Sequence, residues 1–482
     1  MAESLKERVI SGTFWNFFQK LSAQLINLVI SIVLARLLTP EDYGVVAMIT
    51  VFTNIAMVFV STGFSSAVIQ KKELSDADIN TMFYSGFGLS LVLYGIMFLA
   101  APYIAGIYHE PSLTNMIRVE SVIIVLGGSY SVQQALISRE LQYKKNFLIG
   151  VIGVIAQGGF GIAFALSGFG PWALVFSTII YHTVTSVLMW YVVGWKPKLI
   201  FSGQSFKAMF GFSTKMLAGG LLNTVFNNIR SLIIGIRYSS ADLAYYNKGY
   251  QYPTLVMGQV DGTINAVLFA SLAKYQSDWK SGLMVLRRAM KTSLYVCAPL
   301  MAGLCAVADP MIRILLTDKW EGSIVYVRLV SIICIFWPLS AQRNALNARG
   351  KSGIALIMNI IGKVITIVCL LATFRHSVQL MISSSIFASS ICLVINACFY
   401  RKHLDYRFRD QVTDILPPLL LSAAMGLVTY TVMFLNLSSV LTLMIQIPLG
   451  ILIYVAGSIL FRFDSFFYIL SFIKGFFKKK AV

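Results

Sequence analysis

The stretch Gly12–Gly44, GTFWNFFQKLSAQLINLVISIVLARLLTPEDYG, decides the architecture. It opens with about 25 mostly apolar residues, enough for a helix to cross a bilayer. Within it Asn16, Lys20, Gln24, Asn27 and Ser31 recur at spacings of 4, 4, 3 and 4, which places them on one helical face. The crossing ends at Arg36. Thr39-Pro40-Glu41-Asp42 then predicts a new helix, with Thr39 as N-cap, Pro40 as first helical residue and Asp42 closing a capping box.

The same pattern returns some two hundred residues later. Phe212 to Ala244 holds a second apolar crossing with a polar face of Lys215, Gly219, Asn223, Asn227 and Arg230. It ends at Arg237, and Ser239-Ser240-Ala241-Asp242 repeats the cap, Ser239 matching Thr39 and Asp242 matching Asp42. The chain reads as two related halves, each opened by a helix that is polar along one side. In lipid such a stripe faces protein or a water-filled cavity. A repeat-related pair of them is expected of a transporter with internal symmetry.

Composition agrees. The 482 residues are 57% hydrophobic and 12% charged, where a soluble chain carries roughly 25% charge. This predicts an all-α polytopic membrane protein. Lys6 and Arg8 precede a long span with no small-residue cleavage site, so the first helix is expected to stay. The six cysteines lie in apolar stretches and the four histidines are scattered. Neither set has ligand spacing, and no metal or cofactor is expected. The net charge of +19 first suggests nucleic acid, but its distribution favours a membrane and no nucleic-acid partner.

Fourteen apolar segments are legible, at 11–37, 42–69, 80–107, 115–138, 147–166, 171–194, 208–236, 243–269, 290–316, 323–342, 353–374, 377–400, 412–435 and 439–461. Alternate connections and both ends, among them Lys71-Lys72, Arg139 with Lys144-Lys145, Arg287-Arg288 and Lys478 to Lys480, hold 27 of the 39 basic residues. The positive-inside rule then predicts a multi-pass protein of the inner (cytoplasmic) membrane with both termini cytoplasmic. The connection at 270–290 reads as an amphipathic surface helix. The tail from Phe463 to Lys480 suits an interfacial helix on anionic lipid, and equally an ordinary topogenic tail. The expected division is 1–206 for helices 1–6, 207–400 for helices 7–12, and 401–482 for two further helices and the basic tail. Those last two, with Asp414 near an end as their one charge, read as an appendage against lipid.

Ionisable residues within spans are expensive and mark function or packing. Lys248, Arg328 and Asp309 lie near helix ends and read as packing. Lys20, Lys215, Arg230 and Lys363 are better read as a cationic cavity for an anionic substrate. Asn16, Gln24, Asn27, Asn223 and Asn227 accompany them as hydrogen-bonding groups. For Asn16, Gln24 and Asn27 the competing reading is polar glue between helices. Asp261 is a coupling-ion candidate, for H⁺ or Na⁺, or the partner of a nearby base.

LARLLTPEDYG at 34–44, GFSSAVIQ at 63–70, RELQYKK at 139–145, GFGPWALV at 168–175, and Ile233-Ile234-Gly235 with Leu243 to Asn247 together resemble the polysaccharide exporters of the multidrug/oligosaccharidyl-lipid/polysaccharide flippase superfamily. Within it the chain is similar to the Wzx-type lipopolysaccharide, colanic acid or teichuronic acid exporters. The resemblance implies two pseudo-symmetric six-helix lobes forming a V around a central cavity, plus two C-terminal helices. It implies export of undecaprenyl-pyrophosphate-linked oligosaccharide, with membrane lipids as further partners and a monomer as the working unit. Many relatives carry Asp near position 230, where this chain has Arg230. The alternative within the superfamily is a cation-coupled multidrug antiporter, which wants membrane carboxylates in its first lobe; Glu120 is the clearest one there. A glycan polymerase would need a large external loop with catalytic residues, and none is present. There is no G-x-x-x-x-G-K-[ST] phosphate-binding loop. A transporter rather than an enzyme is expected.

Overall fold

In the computed structural model every described element is a helix, and no strand occurs among the described residues. The structure describes the backbone of residues 2–71, 73–273, 275 and 278–471. It describes their side chains except for 2–14, 16, 17, 19, 20, 63, 64, 261–267, 269, 270, 273 and 340.

The chain divides into two compact units, Met1–Ala244 and Tyr245–Val482. The first contains α1 (Ala2–Leu37), then α2 (Pro40–Val58), which runs through a π-turn (Phe59–Gly63) into α3 (Phe64–Gln70). There follow α4 (Asp76–Ile107), α5 (Leu113–Glu120), α6 (Val122–Arg139), α7 (Tyr143–Leu166), α8 (Trp172–Val193) and α9 (Gly203–Arg237). Helix α10 (Ser240–Ala273) begins in the first unit and continues into the second. The second unit adds α11 (Trp279–Leu316), α12 (Ser323–Cys334), α13 (Ala341–Ala348), α14 (Ser352–Thr373), α15 (Val378–Leu404), α16 (Phe408–Thr431) and α17 (Ser439–Leu460).

Among the described residues, eleven helices or runs of consecutive helical segments are long and apolar enough to cross a membrane. The protein is therefore a multi-pass membrane protein. Helices α1, α9 and α10, with 36, 35 and 34 residues, have the length but are interrupted by polar side chains.

Local chemistry sets where helices begin. The Asp42 N–H donates to Thr39 Oγ1 at 3.2 Å, and the Thr39 N–H donates back to Asp42 at 2.9 Å. Ser239 and Asp242 form the same box at 3.1 and 3.2 Å. A third box, Ser75 with Asp78, opens α4 and is closed further by Lys71 at 2.6 Å. Each cap is worth about 1 kcal/mol. Several basic residues of the alternating connections also serve helix ends. Arg139 Nη1 donates to the carbonyls of Val68 at 2.9 Å and Ile69 at 3.3 Å, and Arg349 and Lys351 both donate to that of His403. Cations there satisfy the last, orphaned carbonyls of a helix.

Two readings are revised. The 270–290 connection is not a separate surface helix. From Trp279 it is the first part of α11, and Leu286 and Met290 are buried with Leu346, Leu404 and Tyr406. The helices after residue 401 are also more than an appendage. Helix α16 packs along α11, and α17 packs on both.

Asp414 fastens this arrangement. Its side chain is 1% exposed. It accepts hydrogen bonds from Arg287 at 2.7 and 3.1 Å, from Lys291 at 3.0 Å and from the Tyr406 hydroxyl at 2.7 Å. A carboxylate out of water needs such partners, and removing it strands theirs. Arg287 and Lys291 are about one-third exposed, so screening reduces the cost. Asp414→Ala is expected to destabilise the protein by about 1–3 kcal/mol, less than the ~3–5 of a fully buried pair. The melting temperature of purified protein in detergent measures this, and an unchanged value would remove the anchoring role.

Lys248, Arg328 and Asp309 follow their packing reading. Lys248 is buried with its ammonium 5.7 Å from the centre of the buried Trp320 ring. Arg328 stacks over Tyr430 at 5.2 Å. Asp309 pairs with Arg313 at 2.8 Å, which also holds Asp318 and Glu321.

Candidate functional site: the polar faces of α1 and α9

Helix α9 starts at its cap Ser202, which accepts from the Ser205 N–H at 3.3 Å. It packs on α2, the π-turn, α3 and α4. Gly220 meets the π-turn region: a Cβ there would sit 3.1 Å from Val58 and 3.3 Å from Thr62. Gly235 meets α2 and the end of α4, where a Cβ would lie 2.7 Å from the Tyr108 ring and 3.4 Å from Met48. Gly44, in the first turn of α2, lies directly against the Ser240 carbonyl at the start of α10, with no room for any side chain. Small residues thus let the two backbones close along this seam.

The other side of α9 is open. Lys215, Gly219, Asn223 and Asn227 are exposed. Lys215, Asn223 and Asn227 make no side-chain hydrogen bond or ion pair with another described residue. Neighbouring Asn228 behaves differently, donating to its own helix at the Thr224 carbonyl, 2.8 Å away. A Cβ at Gly219 would meet nothing within 4 Å, whereas one at Gly220 meets α2. The polar face is therefore not used as glue. It presents one ammonium and two amides over about 18 Å of helix, at 1.5 Å per residue. Arg230 continues the line but is half-buried and engaged within the protein.

Helix α1 packs mainly on α7, with Ile30 against Gly158 and Leu34 against Gly161. Asn27 is exposed and, among the described residues, unpaired, while Gln24 is half-buried and engaged. The side chains of Asn16, Lys20 and Asp261 lie outside the described residues. Lys363 belongs to the second unit, half-buried on α14 and already in contact with a partner. Of the expected set, the structure brings Lys215, Asn223 and Asn227 onto one open face.

A second polar layer in the first unit was not expected. The Tyr130 hydroxyl meets His182 Nδ1 at 3.0 Å, and Ser129 meets Ser186 at 2.7 Å, tying α6 to α8. Glu120 is buried nearby in the chain at the end of α5, and one of its oxygens has no donor among the described residues. The sequence shows Glu120 as an acid in an apolar run, but not its burial.

An ammonium and amides that accept and donate can hold anionic and hydroxylated ligands. Three similarities bear on which. The chain is 22% identical over 439 residues to the teichuronic acid biosynthesis protein TuaB of Bacillus subtilis (strain 168), covering 89% of this chain and 90% of that protein. It is 24% identical over 336 residues to the lipopolysaccharide biosynthesis protein WzxC of Escherichia coli (strain K12), covering 68% of each. Its fold matches that of the lipid II flippase MurJ in an inward closed conformation, with a TM-score of 0.74, 16% identity, and coverage of 94% of this chain and 99% of that one. The family model described as polysaccharide biosynthesis protein matches residues 33–325, well over half of the sequence, and the chain belongs to that family.

Proposed function

We propose that this protein is a flippase for a lipid-linked oligosaccharide. It moves an undecaprenyl-pyrophosphate-linked unit from the cytoplasmic to the outer leaflet for cell-surface polysaccharide assembly. It acts as a transporter rather than an enzyme. The observation that carries this reading is the exposed run of Lys215, Asn223 and Asn227 on α9, in a family whose relatives are named for polysaccharide biosynthesis. Passing a bare pyrophosphate through the low-dielectric interior costs on the order of tens of kcal/mol, so fixed charge must meet it. Lys215 and Arg230, with Lys20 on α1 and Lys363 on α14, supply that charge. Asn16, Gln24, Asn27, Asn223 and Asn227 serve sugar hydroxyls and phosphate oxygens.

In this proposal α1, α9 and α10 also cross the membrane, giving fourteen spans, with both termini cytoplasmic. The repeats divide at 206/207 and 400/401 into two six-helix lobes around a cavity, and transport alternates as α9 parts from and closes on α2. Reporter fusions at Glu110 and Lys145 are expected to report opposite sides of the membrane. A shared side would remove the topology.

The direct test is movement of a fluorescent polyprenyl-pyrophosphate oligosaccharide in proteoliposomes, read by its loss from the outer leaflet. Protein-free rates in the presence of protein would overturn the function. The same assay tests Asp261 as the coupling carboxylate for H⁺ or Na⁺. Asp261→Asn is expected to abolish the response to an imposed gradient while cargo still binds, and an unchanged response would make Asp261 structural.

A further inference from the structure

Where α17 ends, Arg462 adopts a left-handed conformation (φ 51°), and the Phe463 N–H bonds the Ser458 carbonyl at 3.0 Å. The chain turns back, and residues 464–471 form a short helix. Phe463, Phe466 and Ile469 pack against the cluster of Tyr295, Leu421, Met425 and Tyr454. Phe467 and Tyr468 stay exposed, as aromatics do at the level of lipid headgroups. The tail is thus docked onto α11 and α16, and the docking encloses a groove.

The groove has two connected parts that share Lys291, Asp464 and Ser465. One, of about 980 Å³, has a mixed lining in which Ser281, Arg287, Arg288, Thr292 and Ser471 stand beside Met284, Val285 and Phe467. The other, of about 590 Å³, is apolar and runs along Pro417, Leu420, Leu421, Ala424, Phe461 and Phe463. We propose that this groove is a binding site for an anionic glycerophospholipid, its phosphodiester at Arg288 and Arg462 and an acyl chain along the α16 trough.

Charge decides the class of ligand. Arg287 and Lys291 are balanced by two carboxylates, Asp414, which both of them hold, and Asp410, 3.5 Å from Arg287. Arg288 and Arg462 form no ion pair among the described residues, and Asp464 is the one other carboxylate in the lining. Two uncommitted cations against one carboxylate leave a single positive charge, which a phosphodiester matches. The Tyr468 ring, 4.9 Å from the Arg288 guanidinium, holds that cation at the groove. Pro417 and Pro418 have no N–H, so the carbonyls of Thr413 and Asp414 lose their helical donors. Those acceptors, with the hydroxyls of Thr413 and Ser465, suit the glycerol hydroxyls of a phosphatidylglycerol headgroup. A quaternary ammonium headgroup has nothing to donate there. The trough beyond, along Pro417, Leu420, Leu421 and Ala424, is apolar, which fits a hydrocarbon chain and not a free anion.

The experiment is native mass spectrometry of the full chain released from nanodiscs of equal phosphatidylglycerol and phosphatidylcholine. Wild-type protein is expected to retain phosphatidylglycerol at least about fivefold over phosphatidylcholine, a preference of about 1 kcal/mol. Arg288→Glu is expected to remove the preference by reversing the free charge. Ala424→Trp is expected to remove it by filling the trough. Melting temperatures in lipid-free detergent are expected to match wild type for both variants, since neither residue takes part in the Asp414 cluster. Equal retention of both lipids by wild type would overturn the proposal. So would an Ala424→Trp protein that keeps the preference, or inorganic phosphate at millimolar concentration abolishing it, since a free anion would then be the ligand.

Discussion

Gly44→Val is expected to abolish export of surface glycan when the variant complements an exporter deletion strain. Gly44 sits against the backbone carbonyl of Ser240, and a carbonyl in a helix's first turn has no rotamer with which to move aside. Any Cβ forces the start of α2 away from the start of α10. Overpacking of this kind costs about 1–3 kcal/mol. Spent against the closed seam alone, that shifts its population roughly 5- to 150-fold. The variant still inserts, because the capping box of Thr39 and Asp42 does not involve Gly44. In a background lacking the six native cysteines, Ser240→Cys is expected to become more reactive to a membrane-impermeant maleimide once Gly44 is valine. Gly95→Val on α4 is the control, since a Cβ there meets nothing within 4 Å. Wild-type export by the Gly44 variant would mean that the seam need not close.

The second large effect concerns charge. The triple variant Lys20→Ala, Lys215→Ala, Arg230→Ala is expected to lose export entirely at matched membrane levels. It removes fixed positive charge from the polar faces of both repeat-related helices, and the amides that remain cannot offset the charge of a pyrophosphate in a low dielectric. Lys215 has no role within the described fold, being exposed and unpaired, so its part of the loss reports on cargo. Arg230 lies about 22 Å further along α9 at 1.5 Å per residue. Its guanidinium grips phosphate with two parallel hydrogen bonds, which an ammonium cannot do. Arg230→Lys is therefore expected to impair export more than Lys20→Arg. Surface glycan in the complemented strain is the measurement, and full export by the triple variant would end the cationic-path mechanism.

Local sequence determined the helices and their starts. Thr39 with Asp42 and Ser239 with Asp242 each close a ring across three residues, so their hydrogen bonds depend on nothing distant. The polar faces were legible for the same reason, because helical periodicity fixes which residues share a side. The repeat between residues 12–44 and 212–244 marked the two helices that matter.

Only the tertiary structure decided what each face meets. Gly219 and Gly220 are adjacent and identical in sequence, yet one is open and the other lies against Val58 and Thr62. The period of a helix says that two sides differ, not which one another helix will cover. Asp414 looked like a stray charge near a helix end. Its partners Arg287 and Lys291 stand more than 120 residues away, brought to it by the packing of α16 on α11. Glu120 likewise read only as an acid in an apolar run until the fold buried it. Contacts at that separation are set by how apolar faces pack and which backbones approach closely, and a single chain's local pattern carries no record of them.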